Sequence, residues 1–328
     1  GAFRLPITAL HLDEALEPAQ DSGSIQVKIS MTPVGGRVVD AMTSKAASMG
    51  ASMAANGALQ FGVAVGTPGA EKELKDFGKR VISRILPLPA GTAPNSVTAV
   101  IYDAEAGTFR FVPAAATTWK GKPAIEVKHA GNAIYAFLQY KKTFTDLNGH
   151  WAKAEIESMA SKLLVNGVNA NSYAPGKVIT RAEFTAMLVR AMGLSPIIES
   201  GAFKDVQDDA AYAGEIGAAS RYGLVEGGTG GAFSPNAGMT RAEMAVMITR
   251  AMKAVSPTDL PNQGANAAAG FKDQASIPAW AASHVASLTE QGIVQGDNHG
   301  NFGALDSVTR AQAALVLKRT LAALKFMN

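Results

Sequence analysis

The chain reads as an α+β multidomain protein. An antiparallel β-sandwich-like domain is predicted over residues 1–142, and an all-α, pseudo-threefold domain over 143–328. Three observations carry this. Short runs of alternating apolar and other residues, separated by turn residues, fill the first part. The tetrapeptide Thr180-Arg181-Ala182-Glu183 returns as Thr240-Arg241-Ala242-Glu243 and as Thr309-Arg310-Ala311-Gln312. Each copy opens an apolar run at helical spacing and holds the same place in a longer repeat, and a fixed internal repeat guides architecture better than any single motif.

In the first part, Ile25, Val27 and Ile29 alternate along one strand, and Leu59, Phe61, Val63 and Val65 along another. Residues 97–102 and 108–112 flank Asp103-Ala104-Glu105-Ala106-Gly107, a hairpin loop ending in glycine, and residues 125–127 and 134–138 add two strands. Residues 41–56, rich in Ala, Met and Ser, are compatible with helix, strand or loop. His11 and His129 have no ligand or nucleophile partner in the pattern and read as exposed or hydrogen-bonded structural histidines.

The repeats span residues 144–194, 203–255 and 271–324. Each begins Phe-x-Asp, as Phe144/Asp146, Phe203/Asp205 and Phe271/Asp273. A first helix follows, with Trp151, Ala211 or Trp280 near its start and Ile156, Ile216 or Val285 on its inner face. Gly223 and Gly292 mark its stop in repeats two and three, where a left-handed residue is wanted. Repeat one has Leu163 there, so a different cap is expected. Then come Leu164-Val165-Asn166-Gly167, Leu224-Val225-Glu226-Gly227 and Ile293-Val294-Gln295-Gly296, a loop aromatic (Tyr173, Phe233, Phe302), and the second helix. Pro175 and Pro235 lie five residues before the capping Thr, where repeat three has Ala304. One helix–loop–helix of this size cannot bury its own apolar face, so the three are expected to pack second helix against second helix as one domain. Methionines along these helices read as core filler. The 256–270 connector, rich in Pro, Asn, Ala and Gly, reads as a flexible linker.

Thr followed three residues later by Glu or Gln is the capping-box pattern. It does not explain the arginine between them. A cation in the first turn opposes the helix dipole, at a cost of roughly 0.3–1 kcal/mol. Free N–H groups and a guanidinium converging at a helix start would make an anion site. The alternative is that the arginines snorkel or pair with a neighbouring acid; three copies in register favour the anion site. Arg190, Arg250 and Arg319 recur near the second-helix ends, where a cation suits the dipole, and read as structural.

Composition narrows the function. Apolar content of 47% and charged content of 17% describe globular material. A net charge of +3 with no basic run makes nucleic acid an unlikely partner. The absence of cysteine excludes disulfides and thiolate metal sites. No cofactor or metal is implied, and no membrane-spanning run appears. The abrupt start at Gly1 suggests a piece of a longer exported chain. Hydrolysis of polysaccharide would need a carboxylate pair across a cleft. Asp146, Asp205 and Asp273 recur but read as helix N-caps or turn residues, and Glu183 and Glu243 are absorbed by the capping box, so no enzyme is expected.

The pattern Phe-x-Asp, Trp, Leu-Val-x-Gly and Ile-Thr-Arg-Ala-Glu resembles the S-layer homology domain in its usual run of three, over about residues 144–324. The resemblance implies a central three-helix bundle with three prongs and grooves between them. It also implies a monomeric, non-catalytic, extracellular anchor to the cell wall of a Gram-positive bacterium. The implied ligand is the secondary cell-wall polysaccharide, through a terminal 4,6-pyruvylated N-acetylmannosamine. Ligand binding is implied for Arg181, Arg241 and Arg310 and for Gly167, Gly227 and Gly296. The ketal carboxylate is an anion of the kind the arginines call for. The glycines either let backbone approach a sugar or make a tight turn. Trp151 and Trp280 either stack on a sugar or anchor the first helix, the latter favoured. Arg→Ala is then expected to abolish tight binding with the fold intact, and Gly227→Ala to weaken binding more than melting temperature. Ala211, Gln312, Ala304 and Leu163 depart from the pattern and weigh against equal binding in all three grooves. The strand-rich first part loosely resembles the β-domains that precede such triplets. The alternative function is a protein–protein interaction module of the cell envelope.

Overall fold

The computed structural model describes residues 2–4, 26–67, 69–74, 77, 81–256 and 270–327. They fall into two compact bodies, one from residues up to 142 with 161–163, the other from 143–160 with 164–327. His11, Ile25 and most of the 256–270 connector lie outside the described residues.

The first body contains β1 (Ala2–Arg4), β2 (Gln26–Val34), α1 (Arg37–Ser48), β3 (Ser52–Gly66), β4 (Lys72–Glu73), β5 (Ile82–Pro87), β6 (Thr98–Asp103), β7 (Thr108–Phe111), β8 (Ala114–Trp119), β9 (Lys122–His129) and β10 (Ala133–Gln139). One sheet runs β1-β5-β9-β8; the other runs β2-β3-β10-β6-β7, with β4 also on β3. The described pairings are antiparallel. Leu86, Ile125 and Val127 of the first sheet meet Phe61, Ile101, Tyr135 and Phe137 of the second in one core. On the second sheet's other face, Val100, Tyr102, Ala136 and Leu138 pack with Met42 and Ala46 of α1. Burial on both faces is why β6 and β10 read as continuous apolar runs instead of alternating ones.

The ambiguous 41–56 stretch holds two elements. Helix α1 ends at Ser48, and Gly50, at φ 74°, turns the chain into β3. Strand β2 does alternate, but Val27, Ile29 and Met31 are 40%, 47% and 43% exposed, so the alternation marks a strand without a buried face. Strand β5 escapes a pattern search because Arg84, fully buried, sits at its centre. Its guanidinium donates to the carbonyls of Ile82 and His129 and lies over the Tyr135 ring. His129 is structural: its Nδ1 lies 3.0 Å from Tyr135 Oη and 3.1 Å from the Gly131 carbonyl oxygen. Burial, with Arg84 adding to it, pushes this imidazole down to about 3.

The second body contains α2 (Lys153–Ser161), α3 (Arg181–Ala191), α4 (Ala213–Arg221), α5 (Arg241–Val255), α6 (Ala279–Glu290) and α7 (Arg310–Ala323). The capping box is complete at α3, α5 and α7: each Thr hydroxyl accepts from the N3 amide, and Glu183, Glu243 or Gln312 accepts from the Thr amide. The inner faces, with Phe184, Leu188, Met244, Ile248, Ala313 and Leu317, are wholly buried. Helices α3 and α5 each touch α7, α4 packs on α3, and α6 packs on α5. The first helices of repeats two and three thus dock on the second helix of the repeat before.

Just ahead of the second helices the repeats are tied together by backbone. Ile179 N–H donates to Val308 O (2.9 Å), Val308 N–H to Met239 O (2.8 Å), and Met239 N–H to Ile179 O (3.1 Å), closing a ring of three buried residues. The first-helix stop does not differ in repeat one. Leu163 takes φ 62° where Gly223 and Gly292 take 72° and 69°. The following amides reach matching carbonyls: Leu164 to Met159, Leu224 to Ala219, Ile293 to Leu288. Leucine bears about 1–2 kcal/mol for that conformation, and the repeat keeps it.

Among the described residues no helix is long and apolar enough to cross a membrane, and no group of three or more His, Asp or Glu could hold a metal ion.

Candidate functional site

The aspartates of Phe-x-Asp are loop clamps, not N-caps. Asp205 accepts from the Phe233 and Ser234 amides, both at 2.7 Å. Asp273 accepts from Phe302 (2.7 Å) and Gly303 (2.8 Å). Asp146 accepts from the Tyr173 and Ala174 amides and the Ser172 hydroxyl. The Phe233 amide, ahead of the other contributions, holds the Asp205 carboxyl below its ordinary value. Asp146 is lowered as well, burial opposing and the three donors outweighing it. Each clamp buries the loop aromatic against the phenylalanine two residues before the aspartate, with ring centroids 5.6, 5.1 and 5.4 Å apart in repeats one, two and three.

The motif arginine comes from the preceding repeat and lies on this aromatic. Arg181 sits 4.9 Å from the Phe233 ring, Arg241 4.7 Å from Phe302, and Arg310 4.7 Å from Tyr173. Its Nη2 donates to the carbonyl just before the loop glycine: Arg181 to Glu226 (3.0 Å), Arg241 to Gln295 (2.7 Å), Arg310 to Asn166 (2.7 Å). Repeat one thus grips two, two grips three, and three grips one.

This arrangement corrects the expectation of an open anion site at the helix start. The first-turn amides are already used. Arg181 and Ala182 N–H donate to Ala237 and Pro235 carbonyls, Arg241 and Ala242 to Asp306 and Ala304, Arg310 and Ala311 to Lys177 and Pro175. The third amide is held by the capping Thr. Because the carbonyl accepts, Ala304 replaces proline in repeat three with no bond lost. The arginines also pair with the next capping glutamate: Arg310 with Glu183 at 3.3 Å, Arg181 with Glu243 at 3.8 Å. Arg→Ala removes these inter-repeat bonds, so a loss of stability is expected in place of an intact fold.

The loop glycines are needed for packing. None of the three has a positive φ, so no left-handed backbone conformation asks for glycine there. A Cβ on Gly167 would lie 2.5 Å from the Asn169 and Ser172 carbonyls and 2.6 Å from the Phe144 ring. On Gly296 it would meet Asn301 O at 2.9 Å and Phe271 at 3.0 Å; on Gly227, Phe203 at 3.1 Å. In all three the Cβ position faces the repeat's own phenylalanine. The glycine brings the loop onto that ring and leaves its backbone on the groove side.

Two grooves result. One, of about 390 Å³, is lined by Arg181 of repeat one, by Glu226, Gly227, Phe233, Glu243, Met247 and Arg250 of repeat two, and by Trp280 of repeat three. The other, of about 290 Å³, is lined by Arg310 of repeat three, by Asn166, Gly167, Lys177, Glu183, Met187 and Arg190 of repeat one, and by Tyr212 of repeat two. Each draws on all three repeats. Trp151 and Trp280 are 62% and 55% exposed, so neither indole anchors its helix by burial, and Trp280 stands at a groove wall. Tyr212 takes the same part in the other groove, beside Ala211, which replaces tryptophan.

Arg190 and Arg250 were assigned by pattern to the helix dipole, yet both line grooves. Arg190 pairs with Glu215 and Arg250 with Glu226, each at 2.8 Å. Their signal in the sequence is recurrence nine residues after the motif arginine. Lys177 had no signal, because repeats two and three have Ala237 and Asp306 there.

The family model of the S-layer homology domain matches residues 143–185, 202–245 and 270–314. The chain is 34% identical over 224 residues to an amylopullulanase of Thermoanaerobacterium thermosulfurigenes, covering 68% of this chain and 12% of that protein. It is 28% identical over 181 residues to the surface-layer 125 kDa protein of Lysinibacillus sphaericus, covering 54% and 14%. To the S-layer protein of Bacillus thuringiensis subsp. finitimus it is 31% identical over 182 residues, covering 55% and 21%. The chain spans between 12% and 21% of the length of these relatives.

Proposed function

We propose, for a chain that carries three S-layer homology domains in succession, that the helical body is a non-catalytic anchor holding a longer protein on the bacterial wall. The domains and the surface-layer relatives put the chain at the cell surface. Enzymes stand among the relatives by name, and an anchor shared between enzymes and surface-layer proteins suits both. The ligand in this reading is the secondary wall polysaccharide, taken through a terminal 4,6-pyruvylated N-acetylmannosamine. The helical body acts as a monomer, with α3, α5 and α7 as a central pseudo-threefold bundle and the loops as prongs.

One observation carries the reading. An arginine from one repeat, the glycine loop of the next and an aromatic from the third converge on a single groove. Cation, close backbone and exposed ring are what a sugar bearing a carboxylate needs. Trp151 belongs to the same design by position, being as exposed as Trp280. Calorimetric titration with the synthetic pyruvylated sugar, beside the same sugar without its ketal, tests it. Tight binding of the first and at least about tenfold weaker binding of the second is expected for a charge-assisted contact. Equal binding of both would remove the carboxylate from the account. Binding of neither would overturn it in favour of a protein partner.

A further inference from the structure

The grooves are built alike but their arginines are not equally engaged. Arg310 is 6% exposed, and its three nitrogens are all held: Nε by Tyr173 O (2.9 Å), Nη1 by Glu183 (3.3 Å) and Nη2 by Asn166 O (2.7 Å). Arg241 uses Nε on Phe302 O (2.6 Å) as well as Nη2 on Gln295 O. Arg181 makes only the Nη2 bond to Glu226 O; its buried Nε has no hydrogen-bond partner among the described residues, and its Nη1 lies 3.8 Å from Glu243, beyond hydrogen-bond reach.

We propose that the groove of Arg181, Gly227, Glu243 and Trp280 takes an acidic sugar first, with Arg181 giving its Nη1 to the ligand carboxylate and Glu243 competing for it. The proposal rests on the wall-anchor reading and adds which groove works and which residue restrains it. The buried Nε, without a hydrogen-bond partner, carries a cost that a small turn of the guanidinium can relieve, so Arg181 is the least firmly held of the three arginines. The same groove is the larger of the two, about 390 against 290 Å³, and is walled by an indole 55% exposed, a broad face for a pyranose ring.

Charge alone points the other way. The Arg310 groove adds Lys177, whereas Arg181 faces Glu226 and Glu243 with only Arg250 beside it. Yet Arg310 is bonded at all three nitrogens and Arg190 is paired with Glu215 at 2.8 Å, so both arginines there are already answered, while Lys177, 3.7 Å from Glu183, is held no more closely than Arg181 is by Glu243 at 3.8 Å. A carboxylate entering that groove must break existing bonds at Arg310; one entering beside Arg181 meets an Nη1 without a hydrogen bond and competes only with the longer ion pair to Glu243.

Removing an arginine takes away inter-repeat hydrogen bonds, so the test uses groove residues whose side chains make none of them, Glu243 meeting Arg181 only through the longer ion pair. The whole chain is titrated with the pyruvylated sugar as parent, Trp280→Ala, Glu243→Gln, Lys177→Ala and Tyr212→Ala. Glu243→Gln keeps its cap, since Gln312 fills that role in repeat three. Trp280→Ala is expected to weaken binding by about tenfold or more, and Glu243→Gln to tighten it by about threefold or more, while Lys177→Ala and Tyr212→Ala stay within about twofold. A large loss in Lys177→Ala or Tyr212→Ala with Trp280→Ala silent would overturn the ranking and leave the wall-anchor reading standing. Equal losses from both walls would also overturn it. No binding by the parent would overturn that reading and this inference together.

Discussion

Arg181 and Arg310 hold the same place in the same tetrapeptide, and the structure uses them differently. Arg310 is buried, bonded at all three nitrogens and paired with Glu183. Arg181 grips the next repeat through Nη2, and the Phe233 carbonyl, unlike those of Tyr173 and Phe302, takes nothing from its Nε. The motif does two jobs, locking a repeat to its neighbour and offering a cation to a groove. The more completely an arginine does the first, the less it has for the second. Three copies of a motif therefore do not mean three equal sites.

The comparison breaks most visibly in stability. Arg310→Ala leaves the Tyr173 and Asn166 carbonyls without the arginine's bonds and removes an ion pair from half-buried Glu183, which keeps Thr180 and Lys177, and should cost the helical body about 3 kcal/mol or more. Arg181→Ala removes one good bond and should cost about 1–2 kcal/mol. Thermal unfolding followed by circular dichroism reads both, and equal losses would mean that the bonds at Arg310 add nothing. A step down in size, the loop glycines should rank by their contacts. Gly167→Ala, meeting carbonyls at 2.5 Å, should destabilise by about 2–3 kcal/mol, and Gly227→Ala, meeting a ring edge at 3.1 Å, by about 1 kcal/mol or less. The reverse order would move the glycines' role from packing to the groove.

Acid sharpens the comparison with a smaller effect. Asp146 clamps the loop that Arg310 grips, and Asp205 the loop that Arg181 grips. Both carboxyls lie below their ordinary value of 3.8, so the stability they give is present above about that pH and is lost as pH falls through their folded values. The Tyr173 and Phe233 amide resonances should hold steady above pH 4 and titrate below it. Movement of either between pH 5 and 7 would show that another group controls the loop.

What was legible in the sequence follows the range of the interaction. The capping boxes span three residues and were readable outright, as was the repeat that frames them. The glycines read as places where backbone approaches a sugar or turns tightly, whereas the atoms a Cβ would meet belong to the repeat itself, in repeat two those of Phe203, far up the chain. The arginine's destination was not readable, because Arg310 binds Asn166 and Tyr173 across the whole helical body. Nor was the clamp, in which Asp205 reaches an amide 28 residues on. Leu163 misled for the opposite reason: residue type argued against a left-handed cap, and the surrounding hydrogen bonds imposed one. In the β body, strands buried on both faces or carrying a central arginine hid the alternation that exposes simpler strands.

The most direct test uses the chain's three tryptophans. Trp280 lines the Arg181 groove, Trp151 holds the matching position in repeat one, and Trp119 lies on β8 of the other body. Their indole N–H signals should be resolved by NMR in the nitrogen-15-labelled chain and followed as the pyruvylated sugar is added. The Trp280 signal should move saturably and first, Trp119 should stay fixed, and the sugar without its ketal should move Trp280 only at concentrations about tenfold higher or more. Binding with an unmoved Trp280 would contradict it.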